Sequence, residues 1–357
     1  MKSHKKRNAL VSLTVLAITI ASCKTGMPSK IPMVARVNPI IVTDSVKHNS
    51  DDPAIWINKN DLSKSLIIGT DKGRDGEDGA LYVFTLDGKE MKEKTVKGLK
   101  RPNNVDIAYN LKLNNRYTDI AVCTERNTNS IRVLALPEMT PIDNGGIQVF
   151  EGDSLRLPMG IALCTDGKGD IYAIVSRKNG PLDNYLWQYK ITDLGNGIVG
   201  GQLVRKFGKF SGKKEIEAIA VDNELGYVYY SDEGVGIRKY YANPNSPNSE
   251  LAVFASKVFK SDIEGISIYK KKNGKGYILV SDQQANQFHI FSREGKRNNP
   301  HEHPLLKTIQ TATLESDGSD VTSVSLPNFP NGLFVAMSNP KVFQFYRWKD
   351  IAGKDLK

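Results

Sequence analysis

Residues 226–242, GYVYYSDEGVGIRKYYA, contain the pattern that decides the fold: a short apolar strand, a polar turn, and a second strand rich in aromatic and β-branched residues. Five more segments repeat this pattern at intervals of 50 to 57 residues: 65–88, 118–136, 169–191, 276–295 and 331–348. Long amphipathic segments with a 3.6-residue period do not separate them. Short strands and turns at this interval predict an all-β fold, a six-bladed β-propeller with one four-stranded blade per repeat. A β-sandwich is the alternative fold, but it would not explain why the pattern repeats at this interval.

The composition and charge restrict the possible functions. Of the 357 residues, 39% are hydrophobic and 25% are charged, which is the balance of a globular protein with a sizeable core. The net charge is +10, and it falls to +6 if the four basic residues that precede Cys23 are removed. There is no arginine-rich segment or aromatic-basic interleaving, so we expect no nucleic-acid partner. A small anionic substrate is compatible with the positive excess.

The N-terminus has the pattern of a bacterial export signal. A basic segment (1–7) precedes an apolar run (9–20) too short to remain as a membrane span, and Ile20–Cys23 resembles a lipobox. We therefore expect a signal peptide at 1–22, lipidation of Cys23, a tether at 23–40 and the propeller at 41–357. The protein would then be extracytoplasmic and anchored by its lipid to the bacterial membrane, facing the periplasm or the cell surface. An ordinary secretory signal with an incidental cysteine is the alternative.

Two further cysteines, Cys123 and Cys164, are too few for a disulfide scaffold or a structural zinc site. Their spacing does not show whether they pair with each other. Because a closed propeller needs no partner to complete its sheets, we expect a monomer.

Another short strand with a polar start precedes each repeat. Aligning these strands places one residue of each blade in an equivalent position: Asp52, Asn104, Met159, Glu217, Glu264 and, approximately, Thr322. Equivalent positions form a ring around the channel of a propeller, where carboxylates repel unless a cation neutralises them. Any one acidic residue alone would be assigned to a solvated turn. The recurrence instead predicts oxygen ligands for a hard cation, Ca²⁺ rather than zinc: Asp51, Asp52, Glu217, Glu233, Asp262 and Glu264.

The turn inside each repeat faces the same end of the channel. In the first three repeats it contains Lys72, Arg126 and Lys178, with Arg177 alongside, whereas later turns contain Glu233 and Gln283. Basic groups can hold the non-reacting oxygens of a phosphate ester, and a metal can lower the pKa of an attacking water. The sequence has no phosphohistidine motif, cysteine-phosphatase loop or P-loop. Water activated by a metal is therefore the expected nucleophile.

Several motifs resemble the β-propeller phytases, a calcium-dependent family that hydrolyses myo-inositol hexakisphosphate (phytate). The motifs are DDPAIW (51–56), NNVDIAY (103–109), TERN (124–127), KEIEAIAVDNELGYVYYSDE (214–233), DIEGISIY (262–269) and GLFVA (332–336). The resemblance implies Ca²⁺ ligands at Asp51, Asp52, Glu217, Glu233, Asp262 and Glu264, and a further acidic position at Asp317. It implies phosphate binding by Lys72, Arg126 and Lys178, with Glu217, Glu233 and Asp51 at the catalytic centre. A neighbouring phosphate of the substrate is expected in an adjacent site.

The chain departs from the family pattern at three places. A family tyrosine is Met159, a late acidic ligand is replaced near Thr322, and MSN follows GLFVA, with Asn339 expected to keep a ligand role. The number of calcium ions, the first phosphate removed and the preference for phytate over lower inositol phosphates stay open. Two other functions also stay open: a six-bladed calcium lactonase or esterase, and a non-catalytic lipid-anchored propeller that binds phytate or a protein.

Overall fold

The computed structural model describes residues 36–356, and its strands follow the six predicted repeats. Within these residues, 25 strands form six antiparallel sheets. In each sheet, three strands that follow one another in the sequence lie side by side, as expected for the blades of a propeller. The predicted fold class, an all-β six-bladed propeller, is confirmed.

The strands of the first three blades follow directly along the chain. A short strand that joins the sixth blade comes first, β1 (Ile41–Val42). The first blade consists of β2 (Ser50–Trp56), β3 (Leu66–Asp71), β4 (Gly79–Phe84) and β5 (Val96–Leu99). The second consists of β6 (Pro102–Leu113), β7 (Arg116–Glu125), β8 (Ser130–Leu136), β9 (Thr140–Pro141) and β10 (Ile147–Gln148). The third consists of β11 (Pro158–Thr165), β12 (Ile171–Arg177), β13 (Asp183–Gly195) and β14 (Ile198–Lys209).

The last three blades repeat this order. The fourth consists of β15 (Ile219–Asp222), β16 (Tyr227–Asp232), β17 (Gly236–Tyr241) and β18 (Ala252–Phe254). The fifth consists of β19 (Ile266–Lys270), β20 (Gly276–Asp282), β21 (Gln287–Ser292) and β22 (Leu305–Gln310). The sixth consists of β23 (Ser319–Thr322), β24 (Leu333–Ser338), β25 (Val342–Arg347) and β1. Short helices lie at Leu62–Lys64 and Arg126–Thr128 (both 3-10) and at Trp348–Ala352 (α1).

The apolar strand of each repeat is the second strand of its blade. Strands β3, β20 and β24 are buried along their whole length, because each sheet has a neighbouring blade on both faces. This explains why these strands read as continuous apolar runs instead of alternating with polar residues.

The hydrophobic core is divided into layers between neighbouring blades. One layer joins the second and third blades, where the rings of Phe150 and Trp187 are 5.2 Å apart. Another joins the sixth and first blades, where Phe343 packs so closely on Gly69 that a Cβ there would lie 2.2 Å from its ring. The blades are therefore held together by side-chain packing across their faces.

The ring of blades is closed by the N-terminal part of the chain. Strand β1 pairs with β25, with Ile41 opposite Phe345, so the sixth blade combines both ends of the domain. This pairing covers the edge that β25 would otherwise expose.

Residues just before β1 contact the fifth blade. The N–H of Val37 donates to the carbonyl of Gln310 at 2.8 Å, and the guanidinium of Arg36 donates to the carbonyls of Thr311 and Ala312. The predicted signal peptide, Cys23 and the tether up to residue 35 lie outside the described residues, so these predictions and the domain boundaries stay predictions. Cys123 and Cys164 are buried and not bonded to each other. Between residues 36 and 356, no helix is long and apolar enough to cross a membrane.

Candidate active site

The first strands of the blades begin at one end of the channel, and their registers identify the equivalent residues. In the first blade, Ser50 pairs with Asp71 and Pro53 with Gly69, and an irregularity in the register lies between these pairs. The second and third blades have the same irregularity at the same place. One residue of each blade, the inner ring, therefore occupies the position of Asp51: Asp51, Asn103, Met159, Glu217, Glu264 and Asp317.

The register corrects the sequence alignment in three blades. Asp52 and Asn104 are each one residue beyond the ring position, because the alignment did not foresee the irregularity at the start of the strand. Thr322 pairs with Leu333 at the far end of β23, and Asp317 holds the ring position instead. The three alignments at Met159, Glu217 and Glu264 agree with the structure.

A second ring is formed by the residue that follows each second strand. This turn ring consists of Lys72, Arg126, Lys178, Glu233, Gln283 and Asn339. Their backbone N–H groups donate, over 2.9 to 3.2 Å, to one carbonyl in the segment before each first strand. The residues that accept these bonds are the outer ring: Asn49, Arg101, Leu157, Glu215, Asp262 and Leu314. Six equivalent hydrogen bonds therefore fix the three rings around one mouth of the channel.

The fourth and fifth blades form the acidic half of this mouth. One carboxylate oxygen each of Glu233, Asp262 and Glu264 lie within 4.8 Å of one another, and Oε2 of Glu264 is buried without a hydrogen-bond partner. Burial, followed by Asp262 and Glu217, raises the pKa of Glu233 to about 8. Burial and then Glu217 raise the pKa of Glu264 well above its usual value. Asp262 forms an ion pair with Lys214, whereas Glu233 and Glu264 have no cation bonded to their carboxylates among the described residues.

Glu217 connects the acidic half to the first blade. The side-chain amide of Asn103 donates to Glu217 at 3.3 Å and to Asp51 at 3.2 Å. Burial and then Asp51 raise the pKa of Glu217. The backbone of Glu217 is pressed against Gly160, where a Cβ would lie 1.8 Å from the Glu217 carbonyl oxygen. A glycine at 160 is therefore needed for this approach of the third and fourth blades.

Lys72 is bonded to two carboxylates of the inner ring. Its Nζ lies 2.7 Å from Oδ1 of Asp51 and 3.1 Å from Oδ2 of Asp317. Burial opposes the charge of Lys72, but Asp51 and Asp317 outweigh it and raise the pKa of the ammonium. Asp317 also accepts a hydrogen bond from the side chain of Gln283, and its pKa is nevertheless raised by burial to about 7.

The other two basic residues of the turn ring differ in their partners. Arg126 is buried, its Nη2 contacts the sulfur of Met159, and its Nε has no hydrogen-bond partner. Burial lowers the pKa of the guanidinium, although Glu217 opposes this. Lys178 is partly exposed and forms an ion pair with Glu215. The first three blades thus present cations that the protein itself neutralises only in part.

Comparison with known proteins agrees with this geometry. The sequence profile of the family described as Phytase matches residues 3–344. The chain belongs to the phytase family. It is also 29% identical over 365 residues to a 3-phytase of Bacillus subtilis (strain 168), an alignment that covers 96% of this chain and 90% of the relative.

Two solved structures are similar at much lower identity. A chain of Kuenenia stuttgartiensis hydrazine synthase is 12% identical with a TM-score of 0.48, covering 86% of this chain and 97% of that one. A chain of the mitotic checkpoint complex is 10% identical with a TM-score of 0.47, covering 94% and 99%. Neither similarity supports a function, because both TM-scores are below 0.5.

Membership of the phytase family makes this chain a hydrolase and implies that it depends on a metal. The residues fit such an ion. Three carboxylates converge in the acidic half. The buried Oε2 of Glu264 accepts no hydrogen bond within residues 36–356, so this oxygen is available to bind a cation. An all-oxygen set suits a hard divalent cation better than zinc, for which histidine or cysteine would be expected.

Asp52 and Arg177, which were also predicted for the site, do not belong to the three rings in this phytase-family structure. The carboxylate of Asp52 accepts a hydrogen bond from the N–H of Val105 at 3.0 Å and lines a cavity of about 490 Å³ inside the channel. Arg177 is fully buried, pairs with Asp153 at 2.7 Å and lies over the ring of Phe150. Since adjacent strand residues point to opposite sides, Arg177 cannot share the direction of Lys178.

Asn339 is in the turn ring, as its position after β24 requires. Its side-chain amide donates to Glu315 at 2.8 Å. The contacts of Asn339 therefore give no sign of the predicted role as a metal ligand. The sequence reasoning missed Asn103 and Glu215, which contact the site through Glu217 and Lys178. The sequence could have identified both residues, because Asn103 precedes Asn104 in NNVD and Glu215 lies two residues before Glu217 in KEIE.

Proposed function

We propose that this chain hydrolyses phosphomonoesters of phytate in a Ca²⁺-dependent reaction and releases inorganic phosphate. The observation that carries the proposal is the charge division of the mouth. Equivalent positions of the turn ring hold Lys72, Arg126 and Lys178 in the first three blades and Glu233 in the fourth, next to Asp262 and Glu264. Family membership and the similarity to a 3-phytase support the same substrate.

Four carboxylates would hold the cation: Glu217, Glu233, Asp262 and Glu264. Ca²⁺ suits them because it accepts six to eight oxygen ligands in flexible geometry. When bound, a divalent cation polarises a phosphate oxygen and lowers the pKa of water at neutral pH. Asp51 and Asp317 lie at the border of this set, where Lys72 already neutralises part of their charge.

The basic residues would bind the phosphate that is to be cleaved. Arg126 has an unpartnered buried Nε, and a planar guanidinium can bind two phosphate oxygens at once. Lys178 is only partly buried, so it can turn from Glu215 to an incoming phosphate. Lys72 contributes mainly its charge, since two carboxylates hold its ammonium group.

Glu217, Glu233 and Asp51 are the carboxylates that we assign to orienting water and accepting its proton. Glu217 and Glu233 belong to the fourth blade, whereas Asp51 belongs to the first blade and is bonded to Lys72.

Phosphate release from phytate by the full-length protein tests the proposal. We expect release to stop in excess chelator and to return with Ca²⁺. Glu217→Gln should abolish turnover, and Lys178→Ala should mainly raise KM. The exposed controls Glu93→Gln and Lys168→Ala should change neither turnover nor KM. Release that persists in chelator would contradict the calcium dependence, and tight phytate binding without release would favour a non-catalytic binding protein.

We further propose that the protein is a monomeric lipoprotein outside the cytoplasm. The lipobox-like segment that ends at Cys23 supports this proposal. Cys23→Ser should move the protein from the membrane fraction to the soluble fraction of the producing bacterium. A wild-type protein that is already soluble would contradict the lipid anchor.

A further inference from the structure

Two adjacent residues before β15, Lys214 and Glu215, extend opposite charges into the two halves of the mouth. Lys214 forms an ion pair with Asp262 of the carboxylate cluster, next to the fifth blade. Glu215 forms an ion pair with Lys178 of the basic half, next to the third blade. Each side chain thus has the charge of the ligand that its partner would bind: Lys214 that of a cation, and Glu215 that of a phosphate.

The ammonium of Lys214 acts on the whole carboxylate cluster. Its pKa is raised first by the hydrogen bond to Asp262, and the charges of Glu233 and Glu264 act in the same direction. Burial raises the pKa of Glu233 to about 8, and the charge of Lys214 opposes this rise. An ammonium and a divalent cation at the same carboxylates compete for the same negative charge.

The backbone of this segment is fixed, whereas the two side chains are partly exposed. The carbonyl of Glu215 accepts the N–H of Glu233 at 3.2 Å. The N–H and the hydroxyl of Ser211 donate to the buried carboxylate of Asp232 at 2.9 and 2.6 Å. By contrast, the side chain of Lys214 is 52% exposed and that of Glu215 is 29% exposed. Both side chains can therefore turn towards solvent while the backbone stays in place.

Ion pairs with this exposure are weak enough for a ligand to displace. A partly exposed pair changes an equilibrium constant by about fivefold or less, because water screens the charges. A divalent cation that gains four carboxylate ligands outweighs one such pair, and so does a phosphate that gains several basic groups. The two pairs would therefore lower the affinity of the mouth for its ligands without preventing their binding.

We propose that Lys214 and Glu215 form an electrostatic latch, in which Ca²⁺ displaces Lys214 from Asp262 and the substrate displaces Glu215 from Lys178. The latch raises the Ca²⁺ concentration at which the metal-binding half fills, and it neutralises part of the charge of both halves while the mouth is empty. This inference rests on the proposed function and adds an autoinhibitory contact to the same site.

Calorimetric titration of the full-length protein with Ca²⁺ tests the lysine of the latch. Lys214→Met should tighten Ca²⁺ binding by about three- to tenfold, because it removes both the ion pair and the repulsion between ammonium and metal. Lys213→Met is the matched control and should leave the Kd unchanged, since Nζ of Lys213 donates to the carbonyl of Gly234 at 3.2 Å. An equal or weaker affinity of Lys214→Met for Ca²⁺ would overturn the latch.

Thermal unfolding of the same variants distinguishes a latch from a purely structural lysine. In chelator, Lys214→Met should have a lower Tm than the wild type, because Asp262 loses its counterion. Saturating Ca²⁺ should raise the Tm of Lys214→Met more than that of the wild type, since tighter binding stabilises the folded state further. A loss of Tm that is the same in chelator and in Ca²⁺ would show that Lys214 is only structural.

Binding of myo-inositol hexasulfate in chelator tests the glutamate of the latch, because it measures the basic half without a metal. Glu215→Gln should tighten this binding by about three- to tenfold, since Lys178 no longer has a competing carboxylate. The exposed control Glu93→Gln should leave the Kd unchanged. Equal Kd values for the wild type and Glu215→Gln would overturn this part of the latch.

These measurements also separate the latch from the proposed function, because none of them depends on turnover. If the wild type releases no phosphate from phytate while Lys214→Met tightens Ca²⁺ binding, the proposed catalysis fails and the latch holds. If Ca²⁺-dependent release is observed while Lys214→Met and Glu215→Gln keep the Kd values of the wild type, the latch alone fails. If neither the wild type nor the variants bind Ca²⁺ or the sulfate ester, both fail.

Discussion

Replacing Glu233 with glutamine should make the calcium-free protein more stable while it removes activity. Glu233 is 4% exposed and faces Asp262 and Glu217, without a cation bonded to its carboxylate among the described residues. Burial and these neighbours raise its pKa from 4.5 to about 8. A glutamine has nearly the same shape as a protonated glutamate but never takes up the negative charge.

The pKa shift sets the size and the pH range of the effect. The folded-state pKa is above the unfolded value of 4.5, so the wild type keeps this stability below pH 4.5 and loses it as the pH rises through about 8. Each pKa unit corresponds to about 1.4 kcal/mol, so Glu233→Gln should gain roughly 3–5 kcal/mol over the wild type near pH 8. This gain corresponds to a rise in Tm of roughly 4–8 °C for a domain of this size.

Thermal unfolding in chelator at pH 5 and pH 8 measures this difference. We expect equal Tm values for the wild type and Glu233→Gln at pH 5 and a higher Tm for the variant at pH 8. Added Ca²⁺ should raise the Tm of the wild type more than that of the variant, since ligands that bind only the folded state stabilise it. A variant that is less stable than the wild type at pH 8 in chelator would refute the reasoning, and Glu93→Gln is the matched control.

Three further substitutions test separate parts of the structure. Lys72→Met removes both ion pairs at 2.7 and 3.1 Å and should lower the free energy of unfolding by about 3–5 kcal/mol at neutral pH, measured by urea denaturation. Gly160→Ala should displace Glu217 and lower kcat for phytate at least tenfold, whereas Gly167→Ala, where an added Cβ has no neighbour within 4 Å, should leave kcat unchanged. Arg293→Met breaks a fully buried ion pair at 2.6 Å and should cost about 3–5 kcal/mol of stability without changing KM; a changed KM would show that this pair reaches the site.

The fold could be predicted from the sequence because its signal is repeated. A strand buried on both faces reads as an apolar run, and six such runs at similar spacing leave few arrangements besides a propeller. The separation of basic from acidic residues around the mouth could also be predicted from the sequence, because each apolar run identifies the turn that follows it. Lys72, Arg126, Lys178 and Glu233 therefore fall in one ring, as their positions predicted.

The remaining errors concern single-residue register. Asp51 and Asp52 are adjacent acidic residues at the start of a strand, and only the register irregularity shows that Asp51 faces the ring. Arg177 and Lys178 differ in the same way, because Arg177 is the last residue of β12 and its side chain packs between blades. Spacing alone does not reveal an irregular first strand, so these assignments need the backbone hydrogen bonds.

The most direct test of the account is a crystal structure of the protein with Ca²⁺ and a hydrolysis-resistant sulfate analogue of phytate. We predict anomalous density for the cation among Glu233, Asp262 and Glu264, and one sulfate group on Arg126 and Lys178. A cation bound away from these carboxylates, or an analogue that leaves Arg126 and Lys178 without contacts, would contradict the division of this mouth into a metal-binding half and a phosphate-binding half.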